Sequence, residues 1–229
     1  LVEMPVSYTD VVLRATCGID YDVTLRQPGD ALSIVALHGG TLAPFTAELA
    51  TELAGDDHNL YLFVAHAERP ELRISPLRAR EPRLDVLIDH SMAIVSIDAC
   101  DDPQPVARIG GMNAALAAML SESLAAVDVA VSPSEAPGID LSKAYFFNRA
   151  TEGGMELSFS TALLETLYEW QGCEERRQRL VRAVRDGLQQ YLAKVRSDLA
   201  RTMERFERDT ARIPIAMRQT RGRRERNDD

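Results

Sequence analysis

Cysteine is scarce in this chain, and the three that occur, Cys17, Cys100 and Cys173, are odd in number and lack any CxxC spacing. That argues against a disulfide framework and a cysteine-held zinc site, and predicts reduced, mostly buried thiols of a cytosolic protein. No apolar run approaches the roughly 18 to 20 residues that a membrane-spanning helix needs, so no membrane partner is expected. Nor does a basic segment precede a short apolar one, as in a secretory leader. The chain opens on Leu1 rather than Met, which leaves room for a longer precursor, so the missing leader is thin support for the cytoplasmic location expected. Positive charge is in deficit: 26 Lys and Arg stand against 35 Asp and Glu, a net charge of −9. Such a chain repels phosphate backbones, and bulk nucleic-acid binding is not expected. The local exception is the tail, where Arg218, Arg221, Arg223, Arg224 and Arg226 crowd together and read as a basic, flexible, solvated terminus. Internal repeats and low-complexity blocks are also missing.

What is present suits one α/β domain with an appendage. The chain has 229 residues, 45% of them hydrophobic and 27% charged, enough for a real core in a soluble protein. Short apolar runs bounded by Gly, Pro and Asp alternate with helical patterns, the signature of a layered, mainly parallel sheet. Strands are expected at Tyr21–Leu25, Leu32–Leu37, Leu60–Val64, Ala93–Ile97, Val106–Ile109, Val127–Val131, Ala144–Phe147 and Met155–Phe159. Helices are expected near Pro44–Leu53, Arg83–Ile88, Asn113–Leu124 and Thr161–Trp170. Leu32–Leu37 and Ala93–Ile97 are apolar on both faces, which makes them central strands covered on both sides. The domain is expected to end near residue 170. From about Cys173, Leu180, Val184, Leu188, Tyr191, Val195 and Leu199 form the stripe of one long amphipathic helix, running to roughly Arg208 and ended by Pro214. Two covers for the stripe stay open: its own domain, or a second copy or other protein partner. Residues 211–229 are left as the basic tail.

In open α/β sheets ligands bind at the carboxyl ends of the strands. After Leu32–Leu37 come His38-Gly39-Gly40, then Glu48 on the next helix. After Ala93–Ile97 comes Asp98, with Cys100, Asp101 and Asp102 nearby, and within Met155–Phe159 sits Glu156. One imidazole and several carboxylates can therefore converge on one crevice. Zinc takes imidazole nitrogen and carboxylate oxygen, and a catalytic site leaves a place for water. A further carboxylate takes the water's proton and passes it to the leaving amine. Glycines after the histidine let backbone and substrate approach closely. The plainer alternative is a turn whose histidine bonds to backbone. His58, His66 and His90 read as surface or packing residues, and Trp170 and the Tyr145-Phe146-Phe147 run as core.

These residues resemble the phage-type poly-γ-glutamate hydrolase family, related to zinc carboxypeptidases and zinc amidases, over roughly residues 17 to 170. The family pattern A-P-H-G-G-x-I-E-P-G-T-S-E-I-A is met by the segment from Ala36 through His38-Gly39-Gly40 and Pro44 to Glu48-Leu49-Ala50. Asn59-Leu60-Tyr61-Leu62-Phe63 is similar to its Y-x-F-E strand, and Val95-Ser96-Ile97-Asp98-Ala99-Cys100 to its V-S-I-H-G-C. Gly110-Gly111 follows in order. Asn148-Arg149 with Gly153-Gly154-Met155-Glu156-Leu157-Ser158 is similar to its N-R-G and G-x-Q-L-E-L-S ending. The resemblance implies a three-layer sandwich with a central mainly parallel sheet and a zinc-dependent amide hydrolase. It implies His38 and Glu48 as zinc ligands with Asp98 at the third place, Glu156 as general base and acid, and Arg149 as the grip on a substrate carboxylate. Gly39 and Gly40 would line the substrate path.

The departures are equally specific. Asp98 stands where the family has histidine, Ala43 where it has the glutamate of I-E-P-G-T, and Arg73 and Arg78 where it has two more histidines. Two outcomes follow. Either the pocket takes a more anionic substrate, glutamyl-like or otherwise, with Arg73 and Arg78 among its contacts. Or one of these arginines pairs with Asp98 in the metal's place, leaving a degenerate enzyme that serves as a binding or assembly module.

Overall fold

The computed structural model describes residues 6–211, apart from residues 30 and 68; Pro214 and the arginines of the basic tail lie outside the described residues. Seven strands form one sheet: β1 (Tyr21–Arg26), β2 (Leu32–Gly40), β3 (Asn59–Ala65), β4 (Ala93–Cys100), β5 (Val106–Gly110), β6 (Ala130–Pro133) and β7 (Gly154–Ser160), in the order β1-β3-β2-β4-β7-β5-β6. The four central strands β3, β2, β4 and β7 are parallel. β1 is antiparallel to β3, and β5, itself parallel to β6, is antiparallel to β7. The two strands read as apolar on both faces, β2 and β4, do lie at the centre.

Helices cover both faces, giving the three-layer α/β sandwich expected. On one side pack α2 (Thr46–Ala54), α4 (Ala114–Ala125), α5 (Thr161–Tyr168) and the first turns of α6 (Cys173–Ala211), through Leu49, Leu53, Leu116, Leu120, Leu163, Leu167, Leu180 and Val184. On the other lie α1 (Tyr8–Arg14), α3 (Pro82–Asp89) and two 3-10 turns, Pro70–Leu72 and Phe146–Arg149, around a core of Val35, Leu37, Tyr61, Phe63, Leu84, Leu87, Ile94 and Phe147. By contact the chain forms two compact units, one ending at Leu188 and one beginning at Gln189. Of the helical stripe, Leu180, Val184 and Leu188 in the first unit are buried, and so is Tyr191 in the second, whereas Leu199 is 60% exposed.

Several sequence expectations need correction. Ala144–Phe147 is no strand: its aromatics are buried as expected, but Phe146 and Phe147 lie in the 3-10 turn Phe146–Arg149, with Tyr145 just before it. The expected strand Val127–Val131 starts later, at Ala130, after a left-handed Asp128 (φ 62°) ends the turn from α4. α1 was not expected, although Ser7 and Asp10 form a reciprocal capping box at its start. Trp170 is 57% exposed rather than core. The thiols are free but not buried: Cys17 is exposed, and Cys100 and Cys173 are half-buried.

Gly40 ends β2 at φ 70°, and a Cβ there would run into the Ala65 carbonyl oxygen on β3. Gly40→Ala is therefore expected to cost on the order of 2 kcal/mol, read as a fall of several degrees in Tm. An unchanged Tm would show that β2 and β3 can part at this point.

Candidate functional site

Side chains alternate along a strand, so β4 sends Ser96, Asp98 and Cys100 to one face and Val95, Ile97 and Ala99 to the other. Register places Glu156 and Ser158 of β7 beside Ser96 and Asp98, and Arg108 of β5 beside Ser158. One face of the sheet, on the α3 side, thus gathers a polar row in an otherwise apolar layer.

His38 joins this row because of a β-bulge. Ala36 stands opposite Leu62 of β3 but Gly39 opposite Val64, so Leu37 and His38 together face a single residue. Regular alternation past Ala36, without the bulge, would put the imidazole on the α2 side with Ala36. With it, Leu37 enters the α3-side core and His38 reaches Asp98, while Gly39 returns to the α2 side, where a Cβ would lie 2.8 Å from that of Ala47.

Both nitrogens of His38 are engaged. Nδ1 lies 3.0 and 3.1 Å from the two carboxylate oxygens of Asp98, and Nε2 lies 2.8 Å from the Ile74 carbonyl. Two acceptors call for two N–H donors, the charged imidazolium. Burial opposes that charge, yet Asp98 and the Ile74 carbonyl together raise His38 above its ordinary value, trimmed by the nearby Arg73. Burial likewise opposes the Asp98 charge, but His38, the Ala99 N–H and Arg73 draw that carboxyl below the usual range. The pair is a buried ion pair, with His38 4% and Asp98 17% exposed. Glu156 behaves in the opposite way. Burial, then the charge of Asp98, push its carboxyl up to about 7, partly offset by the Ser158 hydroxyl, which donates at 3.2 Å, and by His38.

The other expected site residues lie elsewhere or serve packing. Glu48 is exposed on α2, which packs on the far side of the sheet, and its charge acts on Tyr168. Arg149 donates to Asp85 of α3 at 2.6 Å and is held there. Arg73 donates to the Leu42 carbonyl and acts on the His38–Asp98 pair through space, and Arg78 acts on Asp10 of α1. Gly39 and Gly40 serve the close approach of β2 to α2 and β3. His66 bonds Asp22, His90 bonds the Val86 carbonyl, and His58 is buried. Sequence reasoning missed three residues. Tyr145 donates to the Pro137 carbonyl at 3.0 Å and sits within electrostatic reach of Glu156. Ser158 bonds Glu156. Asn148, fully buried, accepts from the Met112 N–H and donates to the Ile139 and Ser142 carbonyls, tying the loop beside Glu156 to the end of β5. For Asn148 the available signal was the Asn148-Arg149 pair of the family ending.

Residues 6–194 match the model of the poly-gamma-glutamate hydrolase family. The chain belongs to that family. The chain is similar to the UPF0714 protein YndL of Bacillus subtilis (strain 168), 25% identical over 154 residues, which span 65% of this chain and 61% of YndL. Two solved structures share the fold: a bacteriophage poly-gamma-glutamate hydrolase, with TM-score 0.73 at 16% identity over 80% of this chain and 95% of the other, and a zinc-free form of YndL, with TM-score 0.72 at 19% identity over 80% and 96%.

Set against the family pattern, the loop entering α2 is altered at two points. Ala43 replaces the glutamate, and Phe45 holds a left-handed backbone (φ 69°) where the pattern has glycine, its ring stacked 4.7 Å from that of Tyr168. A catalytic zinc takes three protein ligands. Here Glu48 is on the far side, His38 spends both nitrogens, and among the described residues no three His, Cys, Asp or Glu groups gather as a metal needs. The residues as arranged do not fit the ion.

Proposed function

We propose that the chain is a hydrolase of an amide bond in a glutamyl-like or otherwise anionic substrate, with Glu156 moving the proton. The observation that carries this reading is the placement of Glu156: buried beside Asp98, with its carboxyl pushed up to about 7. Such a group is poised near neutral pH to take a proton from water and return it to a leaving amine. Membership of the family supports hydrolysis, and the phage relative, named a poly-gamma-glutamate hydrolase, supports a glutamyl-like substrate. A second reading, a degenerate enzyme that still binds its ligand, is favoured by one feature, the His38–Asp98 pair that uses both imidazole nitrogens.

The test is product release from γ-linked glutamate oligomers, with zinc content measured on the same preparation. Hydrolysis is expected in the parent chain and its loss in Glu156→Gln. Binding without product in the parent, with or without zinc, would replace the first reading by the second. Stoichiometric zinc in the parent but not in His38→Ala would show that the ion pair opens to a metal, overturning the conclusion that the donors do not fit.

A further inference from the structure

The polar row continues beyond Ser158 to Arg108. Register sets Asp98 and Arg108 on either side of Ser158, about two strand spacings or roughly 10 Å apart. Cys100, on the same strand as Asp98, is within electrostatic reach of Arg108, Asp98 and Glu156 alike. The guanidinium, 20% exposed, holds Asp102 through Nη2 and Glu135 through Nη1, each at 2.8 Å. These two partners differ. Asp102 is 19% exposed and also accepts from the Gln104 N–H. Glu135 is 80% exposed on the segment after β6, and an exposed ion pair of this kind is weak. The Arg108 Nε is buried with no hydrogen-bond partner among the described residues.

A half-buried arginine in the same polar row as Glu156, capped by a solvent-exposed glutamate, has the character of a carboxylate subsite filled by the protein's own side chain. We propose that Arg108 is the substrate-carboxylate residue of this site and Glu135 its internal occupant. A glutamyl carboxylate displaces Glu135 and sets the neighbouring amide against the His38–Asp98–Glu156 centre. The exchange is neutral in charge, one carboxylate for another. It also assigns the role that Arg149, bound to Asp85, does not fill. The inference rests on the substrate class proposed above but not on turnover.

Calorimetry with a γ-linked glutamate trimer, on the full chain carrying Glu156→Gln to prevent turnover, tests it. Adding Glu135→Gln is expected to tighten binding about threefold to fivefold, the competition lost with a weak surface pair. Adding Arg108→Gln is expected to weaken it about tenfold or more, as for a lost charge-assisted contact. A trimer with amidated carboxylates should bind these variants alike. Binding indifferent to Glu135→Gln, undiminished by Arg108→Gln in a folded protein, or absent altogether overturns the inference. Should Arg108→Gln fail to fold, the Glu135→Gln arm decides, since that residue is exposed. Arg108-dependent binding in a parent chain that releases no product would uphold this subsite and remove the hydrolase reading.

Discussion

Glu156→Gln is expected to melt higher than the parent chain at pH 8 and to release no product at any pH. The Glu156 carboxyl has an ordinary value of 4.5 and is pushed up to about 7, first by burial and then by Asp98. Between these values the folded chain keeps a proton that the unfolded chain has lost. Stability therefore falls as pH rises from about 4.5 through about 7 and levels off above. Glutamine keeps the shape and an acceptor for the Ser158 hydroxyl but cannot ionise. The gain at pH 8 should be on the order of 2–3 kcal/mol, or roughly 5–10 °C in Tm, and should vanish near pH 4. Equal melting at pH 8 would mean that the folded chain tolerates the Glu156 charge and that the group is not poised for proton transfer. The substitution thus sets stability against activity at one position.

The His38–Asp98 pair should show the opposite behaviour. Removing either partner leaves the other charge buried and alone, and His38→Ala and Asp98→Ala are each expected to cost about 3–5 kcal/mol. The double variant should cost clearly less than the sum, with a coupling of about 2 kcal/mol in urea melts. The pH window follows from the directions of the two shifts. His38 is raised above 6.5, so its contribution is full below that value and is lost as pH rises through its folded value. Asp98 is lowered below 3.8, so its contribution is present above 3.8 and lost as pH falls through its folded value. The coupling should be largest between roughly pH 4 and 6.5. Additive single effects at pH 5.5 would show that the two side chains stand independently.

The architecture was legible where chemistry is regular. Apolar runs on both faces placed β2 and β4 at the centre, and the Asp98 and Glu156 strands supplied two carboxylates of the site. Legibility failed where a local pattern had more than one outcome. The buried aromatics at 145–147 fit a strand or a tight turn, since periodicity cannot separate the two over so short a run. Glu48 keeps its spacing from His38, yet spacing alone does not say on which side of a sheet a residue stands. Arg149 is available by its letters alone, but Asp85, distant in sequence, holds it. Arg108 was hidden in an unremarkable strand, because its significance comes only from register with Ser158. The capping box of α1 was plain in Ser7-Tyr8-Thr9-Asp10 but precedes only a single apolar position of the core, Val11.

The bulge in β2 gives the strand two phases. Up to Ala36 the even-numbered residues face α2, and from Gly39 onward the odd-numbered ones do. The same chain length paired without the bulge would turn the imidazole to the α2 side while leaving His-Gly-Gly intact as letters. Two chains with the same motif could then hold their histidines on opposite sides of the same sheet. What places His38 of this chain in the site is the bulge between Ala36 and Gly39, so it is this break in phase, more than the identity of the triplet, that would have to be preserved at this strand length.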